Sequence, residues 1–214
     1  MRPFRLGVLV SGAGTNLQAI LDSVHGRDGI EVVCVAANRA EAKGLARAQA
    51  AGVETGVYPA DEYETRAARD QALAEFLAGH EVDLIVLAGF MELLSAGFIR
   101  RFEGLMINVH PSLLPAFPGV RAIEQALEYG VRVTGVTVHF VDEGIDTGPI
   151  LLQEAFDLPY APDITRVEQR IHAVEHRLLP EAIRMIARGA LREERAESGN
   201  RRRIVIEEGR HGEH

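Results

Sequence analysis

Apolar positions along this chain fall into short unbroken blocks, separated by stretches whose apolar residues recur at helical spacing. RLGVLV (Arg5 to Val10) is the first block, and it runs into SGAGTN and then the helical pattern LQAILDSV. EVVCVAA (Glu31 to Ala37) is the second, followed by the helical EAKGLARAQA and Gly52. VETGVY is a weaker third strand. DEYETRAARDQALAEFLAGH then reads as one long helical segment. VDLIVLAG (Val82 to Gly89) is the strongest strand, SAGFIRRF a short helix, and LMINVH a further strand. Strands that are apolar throughout, alternating with helices, predict parallel pairing covered on both faces.

The period then changes. VRVTGVTVHFV (Val131 to Val141) alternates and is rich in β-branched residues, ILLQEAF is another short strand, and the loop DEGIDTGP separates them. That pattern predicts an antiparallel edge on the parallel sheet. A last helix is expected from about Asp163 to Gly189, capped by Asp163 or Thr165. The expected fold is α/β: an open, mostly parallel Rossmann-like sheet with helices on both faces and an antiparallel edge. It forms one domain over 1–189, with halves of about 1–100 and 101–189. In the charge-dense tail, 190–214, RRRIVIE is a possible small edge strand, the RRR run a solvated turn, and the final residues are loose.

Composition narrows the function classes. The 214 residues are 47% apolar and 25% charged, with a formal net charge of -8. This is globular composition, and the acidic balance argues against a broad nucleic-acid surface. The lone Cys34 lies in an apolar strand and reads as a buried small hydrophobe. No run approaches the ~18 apolar residues of a membrane span, and the N-terminal apolar run breaks too early for a secretory signal. The expected location is the cytoplasm.

Two segments carry candidate chemistry at strand ends. In SGAGTN, Gly12 and Gly14 permit a tight turn, and the N–H groups opening the next helix can receive an anion. The loop lacks the Gly-Lys-Ser/Thr ending of a nucleotide-hydrolase phosphate loop. Leu17 stands where a dinucleotide fingerprint needs its third glycine, and Asn38 and Arg39 where it wants an acid. A monophosphate fits this loop better than a nicotinamide cofactor. A plain tight turn is the structural alternative.

In NVHPSLLPAFPG, Asn108 and His110 sit two apart at a strand's C-terminal end, so both face one way. An Asn amide can donate to an oxygen gaining negative charge in acyl transfer, and a His can do the same or move a proton. Spacing leaves a strand-end pair bonding its own loop equally open. His139 reads as structural or supporting. His172 and His176, four apart with Glu175 between, could suggest ligation by their spacing, but on a helix they read as surface residues, and no cysteine cluster accompanies them. In DEGIDTGP, Asp146 could fold back to charge an imidazole and fix its tautomer; a solvated turn is the alternative. No GxSxG accompanies them, which favours direct attack by a substrate nucleophile over an acyl-enzyme.

At SGAGTNLQAI, VLAGFM, INVHPSLLPAFPG, VTGVTVHFVDEGIDTGPILLQ and AVEHRLLP the chain resembles the phosphoribosylglycinamide formyltransferases, folate-dependent enzymes of purine synthesis. The resemblance extends to about residue 189. It implies formyl transfer from 10-formyltetrahydrofolate to the amine of glycinamide ribonucleotide, without a metal. It implies Asn108, His110 and Asp146 as catalytic residues, and Gly14, Thr15, Asn16 and Glu175 as ribonucleotide contacts. Arg66, Phe90, Met91, Glu92, Leu94, Val141, Asp142 and Gly144 would line the folate site. Glu92 departs from the pattern, because some members carry arginine there. It is expected to turn to solvent and not to attract the folate's anionic tail.

Related activities are alternatives: hydrolysis of formyltetrahydrofolate, or formyl transfer to another amine. The hydrolases carry a second His where this chain has Pro111, together with an N-terminal regulatory domain that is not expected here. The initiator-tRNA enzymes carry a C-terminal domain that is likewise not expected. A silent folate-binding module is the non-enzyme reading, and the Asn108, His110 and Asp146 set argues against it. Small molecules are the expected partners, with no nucleic acid or membrane, and a monomer or weak homodimer.

Overall fold

The computed structural model describes residues 2–195 and 202–206. In the first half, strands β1 (Phe4–Val10), β2 (Ile30–Ala37), β3 (Glu54–Val57) and β4 (Leu84–Leu87) alternate with helices α1 (Thr15–Ser23), α2 (Lys43–Ala50) and α3 (Arg66–Gly79). Helix α4 (Ala96–Arg101), strand β5 (Met106–His110) and helix α5 (Ala122–Tyr129) follow. The chain continues through β6 (Val133–Phe140), β7 (Ile150–Asp157) and α6 (Ile164–Ala187). It ends, within the described residues, with β8 (Leu191–Arg195) and β9 (Arg202–Ile206).

Seven strands form one sheet in the order β3-β2-β1-β4-β5-β6-β7. The pairs from β3 to β5 are parallel, and β6 and β7 are antiparallel additions. The predicted mixed sheet is therefore the observed one. Alternation along β1 distributes its side chains between two cores. Leu6, Val8 and Val10 pack with α1, α2 and α6, while Leu9 packs with α3 and α4 beneath Leu73, Leu77, Phe98 and Phe102. Cys34 joins the second core, and burial pushes its thiol up to about 12.

The topology creates the site. After β1 the chain builds outward through β2 and β3, then returns to the other side of β1 at β4. Beside β1 the crossovers therefore diverge, which opens a crevice beyond the C-terminal strand ends. The SGAGTN loop leaves β1 there, the Gly89–Ser95 segment leaves β4, and His110 ends β5.

Several boundaries differ from the sequence reading. The long helical segment from Asp61 divides into a 3-10 turn (Ala60–Glu62) and α3, because Thr65 caps α3 by accepting the Ala68 N–H at 3.1 Å. Helix α5 was not expected. Its eight residues follow a proline-rich loop, and only its Ala122 and Ala126 are buried. Asp163 caps α6, accepting the Arg166 N–H at 3.0 Å. The predicted edge strand exists as β9, yet it pairs with β8 in a separate two-stranded sheet. Arg202 and Arg203 are thus strand residues, not a turn, while Arg201 and the last residues lie outside those described.

Candidate active site

Strand β5 ends with Asn108 and His110 on one face, as period two requires. The antiparallel register sets His139 of β6 opposite Asn108 and Thr137 opposite His110. His110 and His139 are 4% and 2% exposed. The loop after β6 turns back, and Asp146 enters between the two imidazoles. Its Oδ2 lies 3.3 Å from His110 Nδ1, and its Oδ1 lies 3.5 Å from His139 Nε2. Asn108 Nδ2 is 3.5 Å from Asp146 Oδ1 and 3.3 Å from His139 Nε2. Oδ2 also accepts the Gly119 N–H at 2.7 Å. Asp146 takes up φ 53°, a left-handed conformation that Asp tolerates better than most residues.

The acceptors around each ring assign its protons. His110 Nε2 meets the Phe117 carbonyl at 2.8 Å, and His139 Nδ1 meets the Phe140 carbonyl at 2.9 Å. A carbonyl only accepts, so both nitrogens carry hydrogen. His110 Nδ1 then faces a carboxylate, an arrangement that suits the imidazolium. Burial pulls the other way. It pushes His110 below its ordinary value, against the Phe117 carbonyl and the Asp146 charge, which favour the cation. Burial would raise Asp146, but His139, the Gly119 N–H and the His110 charge outweigh it and hold the carboxyl below its usual range. Asp146 thus stays ionised beside two groups that can each carry a proton.

The glycine loop forms the second part. Gly14 precedes α1 at φ 69°, and a Cβ there would sit 2.5 Å from Gly44 Cα. Glycine is required by both the backbone angle and the contact between the two segments. No side chain among the described residues caps α1, which leaves the first N–H groups, at Thr15 and Asn16, facing outward from the helix start. Asn16 Nδ2 donates to Glu175 Oε2 at 3.1 Å, which joins the loop to α6. Glu175 is 6% exposed, not a surface residue. Burial pushes its carboxyl above the ordinary range, against the Asn16 hydrogen bond and the His172 charge. Asn16 Oδ1 is buried without a partner among the described residues, leaving an acceptor unused. His172 and His176 stack with ring centroids 6.2 Å apart on the same helix.

Between these groups and α4 lies a cleft of about 420 Å³. Asn108, His139 and Asp146 line its floor; Arg66, Phe90, Glu92, Leu94, Val141, Asp142 and Gly144 line its walls. Met91 is not among them. It is 73% exposed and faces a neighbouring recess that also touches Arg66 and Arg69. Glu92 does not turn to solvent as expected. Its carboxylate pairs with Arg69 and accepts from Asn38 Nδ2 at 2.7 Å. A buried guanidinium attracts it more strongly than water does. His139 belongs to the cluster more intimately than its position in an alternating strand suggested, and the sign is the register that sets it against Asn108. No group of three or more metal-binding side chains occurs among the described residues. No helix among them is long and apolar enough to cross a membrane.

Comparison with known proteins identifies the family. The formyl transferase family model matches residues 4–183. The phosphoribosylglycinamide formyltransferase of Bacillus subtilis is 40% identical over 183 residues, covering 85% of this chain and 94% of that protein. The trifunctional purine biosynthetic protein adenosine-3 of Bos taurus is 44% identical over 189 residues. That match covers 88% of this chain, which spans only 19% of the length of the trifunctional protein. The crystal structure of glycinamide ribonucleotide transformylase 1 from Symbiobacterium toebii superposes with a TM-score of 0.87 at 47% identity, covering 95% of this chain and 94% of that one. The phosphoribosylglycinamide formyltransferase of Coxiella burnetii gives 0.88 at 36% identity, covering 96% and 94%. The chain belongs to the formyl transferase family, among the phosphoribosylglycinamide formyltransferases.

Proposed function

We propose that this protein transfers the formyl group of 10-formyltetrahydrofolate to the amine of glycinamide ribonucleotide, with Asn108, His110 and Asp146 as its catalytic residues. The observation that carries the reading is the meeting of Asn108 and Asp146 in the cleft floor with His110 held behind them on Asp146, while the glycine loop, joined to Glu175, leaves the same end of the sheet at β1, on the far side of β4. A phosphate at the α1 N-terminus would receive the N–H groups of Thr15 and Asn16 and the helix dipole. Glu175 would accept from a ribose hydroxyl, and the buried Asn16 Oδ1 is a further acceptor beside it. The apolar walls at Phe90, Leu94 and Val141 suit a flat heterocycle. Backbone groups of the loop carrying Asp142 and Gly144 would match its polar edge. Arg66 is the one cation lining that cleft among the described residues, and it would face the donor's carboxylates.

The amine nitrogen attacks the formyl carbon, and a new carbon–nitrogen bond forms. The formyl oxygen gains negative charge, and Asn108 and His110 donate to it. Asn108 Nδ2 must then exchange its contacts with His139 and Asp146 for that oxygen, and His110 Nε2 must exchange the Phe117 carbonyl for it. The amine loses a proton, which Asp146 and His110 pass on. The bond to N10 of the folate breaks, and N10 gains a proton. Tetrahydrofolate and formylglycinamide ribonucleotide result. No protein nucleophile is needed, so positioning and electrostatics supply the rate.

The test is tetrahydrofolate release from 10-formyltetrahydrofolate, with and without glycinamide ribonucleotide. Release that depends on the ribonucleotide is expected. Release in its absence would mark a hydrolase, and release only with a different amine would reassign the acceptor.

A further inference from the structure

The loop between β4 and α4 carries a carboxylate that no step of formyl transfer uses. Glu92 lines the cleft between Phe90 and Leu94, yet both of its oxygens are engaged by groups of the protein. One oxygen pairs with Arg69 Nη1 on α3. The other accepts Asn38 Nδ2 at 2.7 Å, just beyond β2. Arg69 is 2% exposed and also holds Asp70 Oδ1 through Nε and Nη2, at 3.0 and 2.7 Å. Asp70 Oδ2 accepts the Ser95 N–H at 2.5 Å, and Arg69 Nη2 reaches the Leu93 carbonyl at 3.4 Å. From the other side, Ser11 Oγ of the glycine loop accepts the Met91 N–H at 2.9 Å.

The loop is therefore tied at Met91, Glu92, Leu93 and Ser95, and three of the four ties run through one buried guanidinium and its carboxylates. Glu92 alone reaches a third element, at Asn38. Both of its partners are donors, so only a side chain that accepts at both oxygens satisfies them. A glutamine there can accept from only one of them: its NH₂ meets the unpartnered Asn38 Oδ1 only if the Asn38 amide turns over, and the charge that holds Arg69 is lost. Arg69, held on three sides, is also kept from any ligand, whereas Arg66 one turn earlier on α3 is exposed and lines the cleft.

We infer that Glu92 is a positioning residue: by joining the buried Arg69 to Asn38 it fixes the Phe90–Leu94 wall in the shape that receives the flat ring of the formyl donor. The inference rests on the formyl-transfer reading and adds a determinant of donor affinity to it. Glu92 is part of the wall, and both of its oxygens are held by Arg69 and Asn38. Its effect must therefore reach the ring, not the carboxylate tail, of the donor.

The experiment compares wild type, Glu92→Gln and Asn38→Ala with two donors, a formylated folate bearing its glutamate and the matching pteroate without it. KM for both donors is expected to rise about tenfold in Glu92→Gln, with kcat and the ribonucleotide KM within about twofold. Asn38→Ala should move the donor KM the same way by less, because Glu92 keeps Arg69. Unchanged donor KM in folded variants overturns the inference. A rise confined to the glutamate-bearing donor overturns it too, because that marks a charge effect on the tail. Folate affinity by calorimetry separates the two readings. A wild type that binds folate without transferring formyl overturns the activity alone, and the variants' affinities still decide the wall. A wild type that binds no folate overturns both. If Glu92→Gln does not fold by thermal melting, Asn38→Ala carries the comparison.

Discussion

The Gly119 N–H donates to Asp146 Oδ2 at 2.7 Å, the same oxygen that lies 3.3 Å from His110 Nδ1. One carboxylate thus ties the loop after β5 to the loop after β6 while its charge favours a proton on the imidazole between them, against burial. Loop closure and the electrostatic support of His110 are coupled through a single atom.

The two duties can be separated by Asp146→Asn. Asparagine tolerates the left-handed angle at this position, and its Oδ1 can still accept from Gly119. The loop should hold and the charge should vanish. Formyl transfer is expected to fall by about 10²–10⁴-fold in kcat/KM, the range of lost proton-transfer assistance, with little change in thermal midpoint. The His110 imidazole should also titrate at lower pH than in wild type, because the Asp146 charge is one of the influences raising it. Steady-state kinetics and histidine NMR titration check the two halves. Full activity would remove Asp146 from the mechanism.

Acid should destabilise the fold in two stages. His110 and His176 are both pushed below their ordinary value of 6.5, by burial first. Between that value and their folded values the unfolded chain binds more protons, so stability falls as pH drops through this window. Asp146 is held below its ordinary 3.8; the stability it contributes is present above that pH and is lost as pH falls through its folded value. Thermal midpoints measured from pH 8 to 3 should decline in both ranges. His110→Gln should flatten part of the upper decline, with His176 supplying the rest.

Much of the fold was legible because it rests on local periodicity. The unbroken apolar strands gave their parallel pairing, and the alternation of VRVTGVTVHFV its antiparallel edge. Asn108 and His110 were legible together because strand period and a terminating Pro111 are local facts. What escaped depends on pairing across the chain. His139 meets Asn108 only through the register of β6 on β5. Glu92 was read as solvent-facing because the sequence does not show that α3 buries Arg69 beneath it. Glu175 looked like a surface residue until Asn16 was brought against it from the opposite end of the chain. Helix α5 was missed because it is short and buries little.

Gly14→Ala tests the tight join between the glycine loop and α2. The new Cβ would sit 2.5 Å from Gly44 Cα, which is backbone and cannot rotate away, and φ 69° strains any L side chain. A loss of about 1–3 kcal/mol in unfolding free energy is expected, with weaker ribonucleotide binding as the loop shifts. Denaturant melts and ribonucleotide calorimetry measure the two effects. A variant as stable as wild type would show that the loop has room to move.

Glu175→Gln should exchange function for stability. The folded state raises the Glu175 pKa, burial being the largest cause, so it binds a proton more readily than the unfolded chain does. Such a group favours the fold below its ordinary 4.5 and loses that advantage as pH rises through the folded value. At neutral pH the buried carboxylate is therefore a cost. Glutamine removes the charge, keeps an acceptor for Asn16 Nδ2, and can offer a hydrogen to the unpartnered Asn16 Oδ1. The thermal midpoint should rise at pH 7 and the gain should shrink toward pH 4, where the wild-type carboxyl takes up its proton. Ribonucleotide KM should rise about tenfold at pH 7, because a charged acceptor holds a ribose hydroxyl more strongly than an amide. A variant that is less stable than wild type at neutral pH would mean that the ionised carboxylate is better solvated than its burial implies.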